Sequence, residues 1–187
     1  MSLNEFENNK NLDAVDLNDN FDFLDTKMDN LPRWEVISSG SLPTDSSSLV
    51  IDNIDSNYEQ FKILFKRFRP STSSWALRLR FNDSSSDYMS LRIRLRDDFT
   101  SRVDKYTDYI SMGYYSNRGA VTINIDDFTG QITQVDGMGF NSYLDTFYNF
   151  SGYWNNTNKI TKINIYDENS NNFNEGVYVI YGYKKQE

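Results

Sequence analysis

The chain contains neither histidine nor cysteine. That removes the usual general base, the usual zinc ligands, every thiol nucleophile and every disulfide. What remains for acid–base or metal chemistry is carboxylate. Asp16, Asn18 and Asn20 match the first, third and fifth positions of a calcium loop. The sixth is Phe21 rather than glycine and the twelfth is Lys27 rather than glutamate, so the motif fails. Asp97-Asp98 and Asp126-Asp127 could ligate calcium between loops, although paired acids at strand ends are usually solvated. A glycosidase needs two carboxylates flanking a bond, but with 27 acids in the chain some such pair is inevitable and singles out nothing. No glycine-rich loop precedes a Lys-Ser/Thr pair, so no nucleotide cradle is visible. Asn82-Asp-Ser, Asn149-Phe-Ser and Asn155-Asn-Thr are formal glycosylation sequons, expected by chance in a chain this rich in Asn and Ser. The expectation is a non-enzyme without metal or cofactor.

Binding chemistry has two better candidates. Leu77, Leu79 and Phe81 alternate with Arg78 and Arg80; after the Asp83–Asp87 loop, Leu91, Ile93 and Leu95 alternate with Arg92, Arg94 and Arg96. Read as a hairpin, this puts the apolar residues on one face and the arginines on the other. Residues 62–96 carry nine basic side chains against Asp83 and Asp87, and like charges facing each other on a strand pair are unfavourable. Arg78, Arg80, Arg92 and Arg94 should therefore meet anions. Three sources are open: carboxylates of neighbouring strands, an acidic subunit surface, or an anionic sugar or phosphate, which arginine suits by bidentate bonding. The second candidate is aromatic. Tyr114 and Tyr115 precede Asn117-Arg-Gly, and Tyr153 and Trp154 precede Asn155-Asn-Thr-Asn, a mix of rings and amides suited to stacking on sugars and bonding their hydroxyls.

The elements that must position these residues fall into two regions. Leu17, Phe21, Leu24, Met28 and Leu31 are spaced four, three, four and three, and Pro32 closes the run. This is a heptad seam on a helix from Asp13 to Leu31, capped by Asp13 and about 27 Å long. So short a helix is marginal alone, so the stripe should be covered by its own head, by other copies or by a socket on a larger particle. From Trp34 the apolar period becomes two. Strands are expected at Trp34–Ser39, Ser48–Ile54, Phe61–Phe68, Trp75–Asn82, Tyr88–Arg96, Tyr106–Tyr115, Ala120–Asp127, Phe147–Tyr153, Ile160–Asp167 and Val177–Tyr183. Strands joined by Ser/Asn/Asp loops, without intervening helical patterns or repeats, predict an all-β antiparallel sandwich of jelly-roll type behind a short N-terminal helix. The domains are 1–33, an acidic leader, and 34–187, the head.

Charge follows the same division. Residues 1–31 hold eight acids against Lys10 and Lys27, net −6, which leaves the rest near neutral at −2. A nucleic-acid binder would show a strongly basic domain. No apolar run approaches the roughly 20 residues of a membrane helix, and Met1–Lys10 lacks the features of a signal peptide. The chain is expected to be made in a cytoplasm, with no membrane insertion.

Several segments together resemble a domain of bacteriophage structural proteins: Trp34-Glu-Val-Ile-Ser-Ser, Leu49-Val-Ile-Asp-Asn-Ile, Tyr58-Glu-Gln-Phe-Lys-Ile-Leu-Phe, Leu77-Arg-Leu-Arg-Phe-Asn with Tyr88 after it, Val121-Thr-Ile-Asn-Ile-Asp and Gly176-Val-Tyr-Val-Ile-Tyr-Gly-Tyr. The resemblance covers about 34–184. Leu17-Asn-Asp-Asn-Phe21 is similar to the start of many tail-fibre and minor virion proteins. A glycine usual after Leu-Arg-Leu-Arg-Phe-Asn is replaced here by Asp83-Ser-Ser-Ser, so the turn must differ. The resemblance implies a β-sandwich mounted on a virion, commonly as a trimer, joined to other virion proteins through the N-terminal segment. It implies neither one ligand nor one virion position; the expected function is a fibre or spike displaying the sandwich for host attachment, with a host surface glycan as a possible partner, and the alternatives are a capsid decoration and a free carbohydrate-binding module.

Overall fold

A computed structural model describes residues 33–70, 75–96, 101–115, 118–142 and 145–184. The leader stripe Leu17, Phe21, Leu24, Met28 and Leu31, its helix, and Asp97-Asp98 lie outside the described residues. Trp34–Lys184 form one compact unit.

Twelve strands are described: β1 (Arg33–Ser41), β2 (Ser48–Ile51), β3 (Tyr58–Pro70), β4 (Trp75–Phe81), β5 (Tyr88–Leu95), β6 (Ser101–Tyr106), β7 (Ile110–Tyr115), β8 (Gly119–Asp126), β9 (Thr133–Asn141), β10 (Thr146–Trp154), β11 (Ile163–Asp167) and β12 (Phe173–Lys184). They form an eight-stranded sheet, ordered β1-β12-β3-β8-β9-β10-β5-β6, and a four-stranded sheet, β2-β11-β4-β7. Strands β2 to β12 pair with one another antiparallel. From β2 to β5 the chain changes sheet at every step, and it crosses back for β7 and again for β11. That is jelly-roll connectivity, with the meander β8-β9-β10 where one strand would suffice.

Alternation builds the core. Phe61, Ile63 and Phe65 of β3 and Val121, Ile123 and Ile125 of β8 are buried, as are Leu77, Leu79 and Phe81 of β4 and Ile163 and Ile165 of β11 facing them. Each such side chain contributes about 1.5–3 kcal/mol on burial. The β4–β5 connection shows how the expected glycine is dispensed with. Asn82 and Asp83 both take positive φ (48° and 57°), which Asn and Asp tolerate better than other non-glycine residues. Asn82 Oδ1 accepts from the Thr161 and Lys162 amides at 2.9 and 3.0 Å, its amide donates to the Lys159 carbonyl at 2.8 Å, and Asp83 pairs with Lys162 at 2.9 Å. The turn is thereby fastened to the β10–β11 loop.

Two expectations are corrected. The arginine hairpin does not exist, because β4 lies in the small sheet and β5 in the large one. Moreover, β5 has the opposite phase: Tyr88, Ser90 and Arg92 are buried while Leu91, Ile93 and Leu95 are exposed. Tyr88 fixes that phase by stacking on Trp154 at 6.1 Å and accepting the Phe81 amide at 2.7 Å. The Tyr106–Tyr115 strand is in fact two elements, the end of β6 and β7, separated by a turn. In addition, β9 was not among the expected strands.

Candidate functional site

The four arginines separate into two environments. On the outer face of the small sheet, Arg78 lies 3.6 Å from the Tyr109 ring centroid and pairs with Glu168. Arg80 donates to the Asp108 carbonyl at 3.0 Å and lies 5.2 Å from the Tyr166 ring. Burial pushes the Tyr109 hydroxyl up to about 12, although the Arg78 charge beside it acts the other way. On the inner face of the large sheet, the Arg92 side chain is 2% exposed. It donates to Asp104 at 2.7 Å and to the Ser111 hydroxyl at 2.8 Å, with the rings of Tyr106, Tyr114 and Tyr148 at 5.1, 4.6 and 5.7 Å. Burial works against its charge and is the largest single influence, but the bond to Asp104 and the electrostatics of Tyr106, Asp104 and Tyr114 together outweigh it and raise the pKa above the ordinary value. Arg94, half-buried, sits opposite Tyr148 on one side and Arg102 on the other. Arg102 is itself bonded to Asp104 at 2.6 Å. Of the three sources of anions, carboxylates of neighbouring strands serve Arg78 and Arg92.

The aromatic candidates also divide. Tyr115 is 0% and Trp154 1% exposed, so neither is a glycan contact. Tyr115 packs on Phe68 and Tyr148 and donates to the Met112 carbonyl, and Trp154 packs on Phe81 and Tyr88. Strand ends in a sandwich with so many aromatics are core positions as often as rim ones. Tyr114 is exposed but its ring is committed to Arg92. Tyr153 lines an open groove.

The buried carboxylates are loop clamps. Asp127 accepts from the Ile160 amide and the Thr133 hydroxyl, both at 2.8 Å, and Lys159 donates to its backbone carbonyl. Asp167 accepts from the amides of Ala76 (2.8 Å), Asn169 (3.2 Å) and Asn171 (2.9 Å). Both carboxylates are buried, and the hydrogen bonds they accept tie loops to the strands. Among the described residues no group of three or more acids is placed to hold a metal ion.

What sequence reasoning did not find is the outer face of the large sheet. Directly opposed residues in antiparallel strands share a face, so the register defines transverse rows. One runs Tyr183, Gln60, Asp126, Gln134, Tyr153, Met89; the next runs Tyr181, Lys62, Asn124, Asp136, Ser151, Leu91. Gln60 donates to Asp126 and Asn124 to Asp136, each at 2.9 Å. Two grooves open on these rows. One, of about 490 Å³, is lined by Trp34, Tyr181, Gln60, Lys62 and Asn124; the other, of about 540 Å³, by Gln134, Asp136, Ser151, Tyr153 and Asn155. They meet at Asp126, which lines both. Trp34 is 47% exposed and held by the Tyr183 ring at 5.6 Å. The two following rows are apolar at their β9-β10-β5-β6 end, where Met138, Ile93, Val103, Phe147 and Leu95 are all exposed. The outward residues of β3 and β8 carry the only advance signal, a polar alternation ordinarily read as solvated.

No protein-family model and no curated protein matches the chain. Among solved structures it aligns with scytalido-glutamic peptidase, crystallised with a peptide-based transition state analog, at 9% identity and a TM-score of 0.25. The alignment covers 78% of this chain and 66% of that one, so the chain spans just under two thirds of the peptidase's length. That likeness carries no argument.

Proposed function

We propose that this chain is a non-enzymatic structural protein of a bacteriophage virion. In this reading the β-sandwich is the head of a fibre or spike that attaches to the host surface. The acidic leader joins it to other virion proteins and, through the 17–31 stripe, to two further copies. The observation that supports this most is where the resembling segments fall. In order, they are β1, β2, β3, β4 with the start of β5, β8 and β12, the strands that frame the sandwich. The chemistry of the site agrees with binding, since the buried acids hold loops while the open grooves present rings, amides, Lys62 and two carboxylates, Asp126 and Asp136, each held by a neighbouring amide.

Decoration of a capsid shell is the second reading, favoured by the exposed Met138, Phe147 and Val103, which a neighbouring protein would cover. Immunogold labelling of phage particles purified from the culture that yields the chain separates the two. Label at fibre tips is expected. Label spread over the shell would move the assignment to decoration, and unlabelled particles would overturn both.

A further inference from the structure

We infer that the two polar rows on the outer face of the large sheet form one cleft that binds a neutral polysaccharide lying across the strands. The inference deepens the reading of the head as a binding domain and names its ligand class. The cleft crosses β12-β3-β8-β9-β10-β5, which at a strand spacing of about 4.8 Å gives a path of about 24 Å. That is polymer length, not the size of a small metabolite.

The chemistry along it is graded. At one end stand Trp34 and Tyr181, at the other Tyr153. Ring faces at both ends of a polar floor suit pyranose rings, whose C–H faces stack on aromatics while their hydroxyls seek donors and acceptors. The floor supplies both. The Gln60–Asp126 and Asn124–Asp136 bonds each use one amide N–H and one carboxylate oxygen. Each amide oxygen and each second carboxylate oxygen stays available, on side chains already oriented by their partners. Little ordering is left to occur on binding.

Charge selects among polymers. Among the residues lining the two grooves, Lys62 is the one cation against Asp126 and Asp136, with Lys105 farther out on β6 opposite Leu91, so the lining is net negative and disfavours anionic chains. The same sign disfavours the acidic leader as occupant. An extended peptide is disfavoured as well: these strands are paired on both sides within the sheet, so no backbone edge is exposed for it to join.

The test is native affinity electrophoresis of the full chain in gels containing mixed-linkage β-glucan, mannan, galactan or dextran, with polygalacturonate as the anionic comparison. Retardation by at least one neutral polymer is expected. Trp34→Ala and Tyr153→Ala should each weaken it about tenfold or more, and Asn124→Ala should weaken it too, all with unchanged circular dichroism melts. Arg78→Ala, on the opposite sheet, should leave it unaltered. Retardation by none of the neutral polymers, retardation by polygalacturonate alone, or binding indifferent to Trp34 would overturn the cleft. A chain that adsorbs to host cells without binding any neutral polymer refutes the cleft and leaves the attachment reading standing. A chain that binds through Trp34 but is missing from phage particles does the reverse.

Discussion

Arg92 is a charged side chain in the interior, and its neighbours explain why it is tolerated. Removing one partner of a buried pair leaves the other uncompensated. Arg92→Met is expected to cost about 3 kcal/mol in urea unfolding, with part recovered on adding Asp104→Leu. Arg78→Ala, whose partner Glu168 is 39% exposed, should cost less than Arg92→Met. The pH dependence follows from Asp104. Burial raises its pKa, but hydrogen bonds from Arg92 and Arg102 prevail and hold it below the usual carboxylate value. A depressed folded-state pKa means stabilisation that is present above the unfolded value near 3.9 and lost as pH falls through the folded one. Melting temperature should therefore drop more steeply below about pH 4 in the native chain than in Asp104→Asn. At the other extreme, burial pushes Tyr88 up to about 12. The stability tied to its neutral hydroxyl is complete below about pH 10 and disappears as pH rises toward 12. Tyrosinate absorbance and loss of β circular dichroism should then rise together for Tyr88, and Tyr88→Phe should uncouple them.

At the scale of the element, the inner face of β9 is Thr133, Val135, Gly137, Gly139 and Asn141, with no side chain at the two glycines and Val135 its one apolar contribution. The partners fill the space instead. A Cβ at Gly139 would collide with the Tyr115 hydroxyl, and one at Gly137 would meet the Phe150 ring and the Thr122 carbonyl oxygen. Gly137→Ala should cost about 2 kcal/mol, since a backbone oxygen cannot step aside. Gly139→Ala should be comparably costly in the native background and markedly milder with Tyr115→Phe, because the clash is with the hydroxyl. A double-mutant cycle measures that coupling. This is also why β9 was not legible in the sequence: pattern reading weighs apolar side chains, and here the core is supplied by the neighbours' rings. The strands β3, β4, β8 and β11 were legible because their own residues bury. For β5 the alternation was visible but its sense was not. Leu91, Ile93 and Leu95 obey period two while facing outward, and only the long-range contacts of Tyr88 and Arg92 settle which side is in. The outer cleft was illegible for a related reason, since register joins Gln60, Asp126, Gln134 and Tyr153 from four separate strands.

For the whole molecule, the proposed assembly makes the leader stripe the decisive segment. Leu24→Asp with Met28→Asp should lower the mass measured by light scattering from trimer to monomer, or abolish incorporation into particles, while the head's melting transition is retained. Unchanged mass together with unchanged incorporation would count against the stripe. The connectivity of the large sheet has a consequence for how each copy is made. The last strand, β12, lies between β1 and β3, while β11 lies between β2 and β4. As the chain leaves the ribosome, β1 has no sheet neighbour and β3 only one until residues beyond 173 have been made. The small sheet likewise lacks one of its two inner strands until β11 emerges. Closure of the sandwich thus waits for β11 and β12 and is set by contacts of high sequence separation, and such folding is slow. Meanwhile a long strand edge rich in Phe and Ile waits uncovered, open to its counterparts on neighbouring nascent chains. Chains stopped short of β12 should accumulate in the insoluble fraction rather than as a smaller folded head, and the yield of full-length protein should rise when synthesis is slowed or cooled.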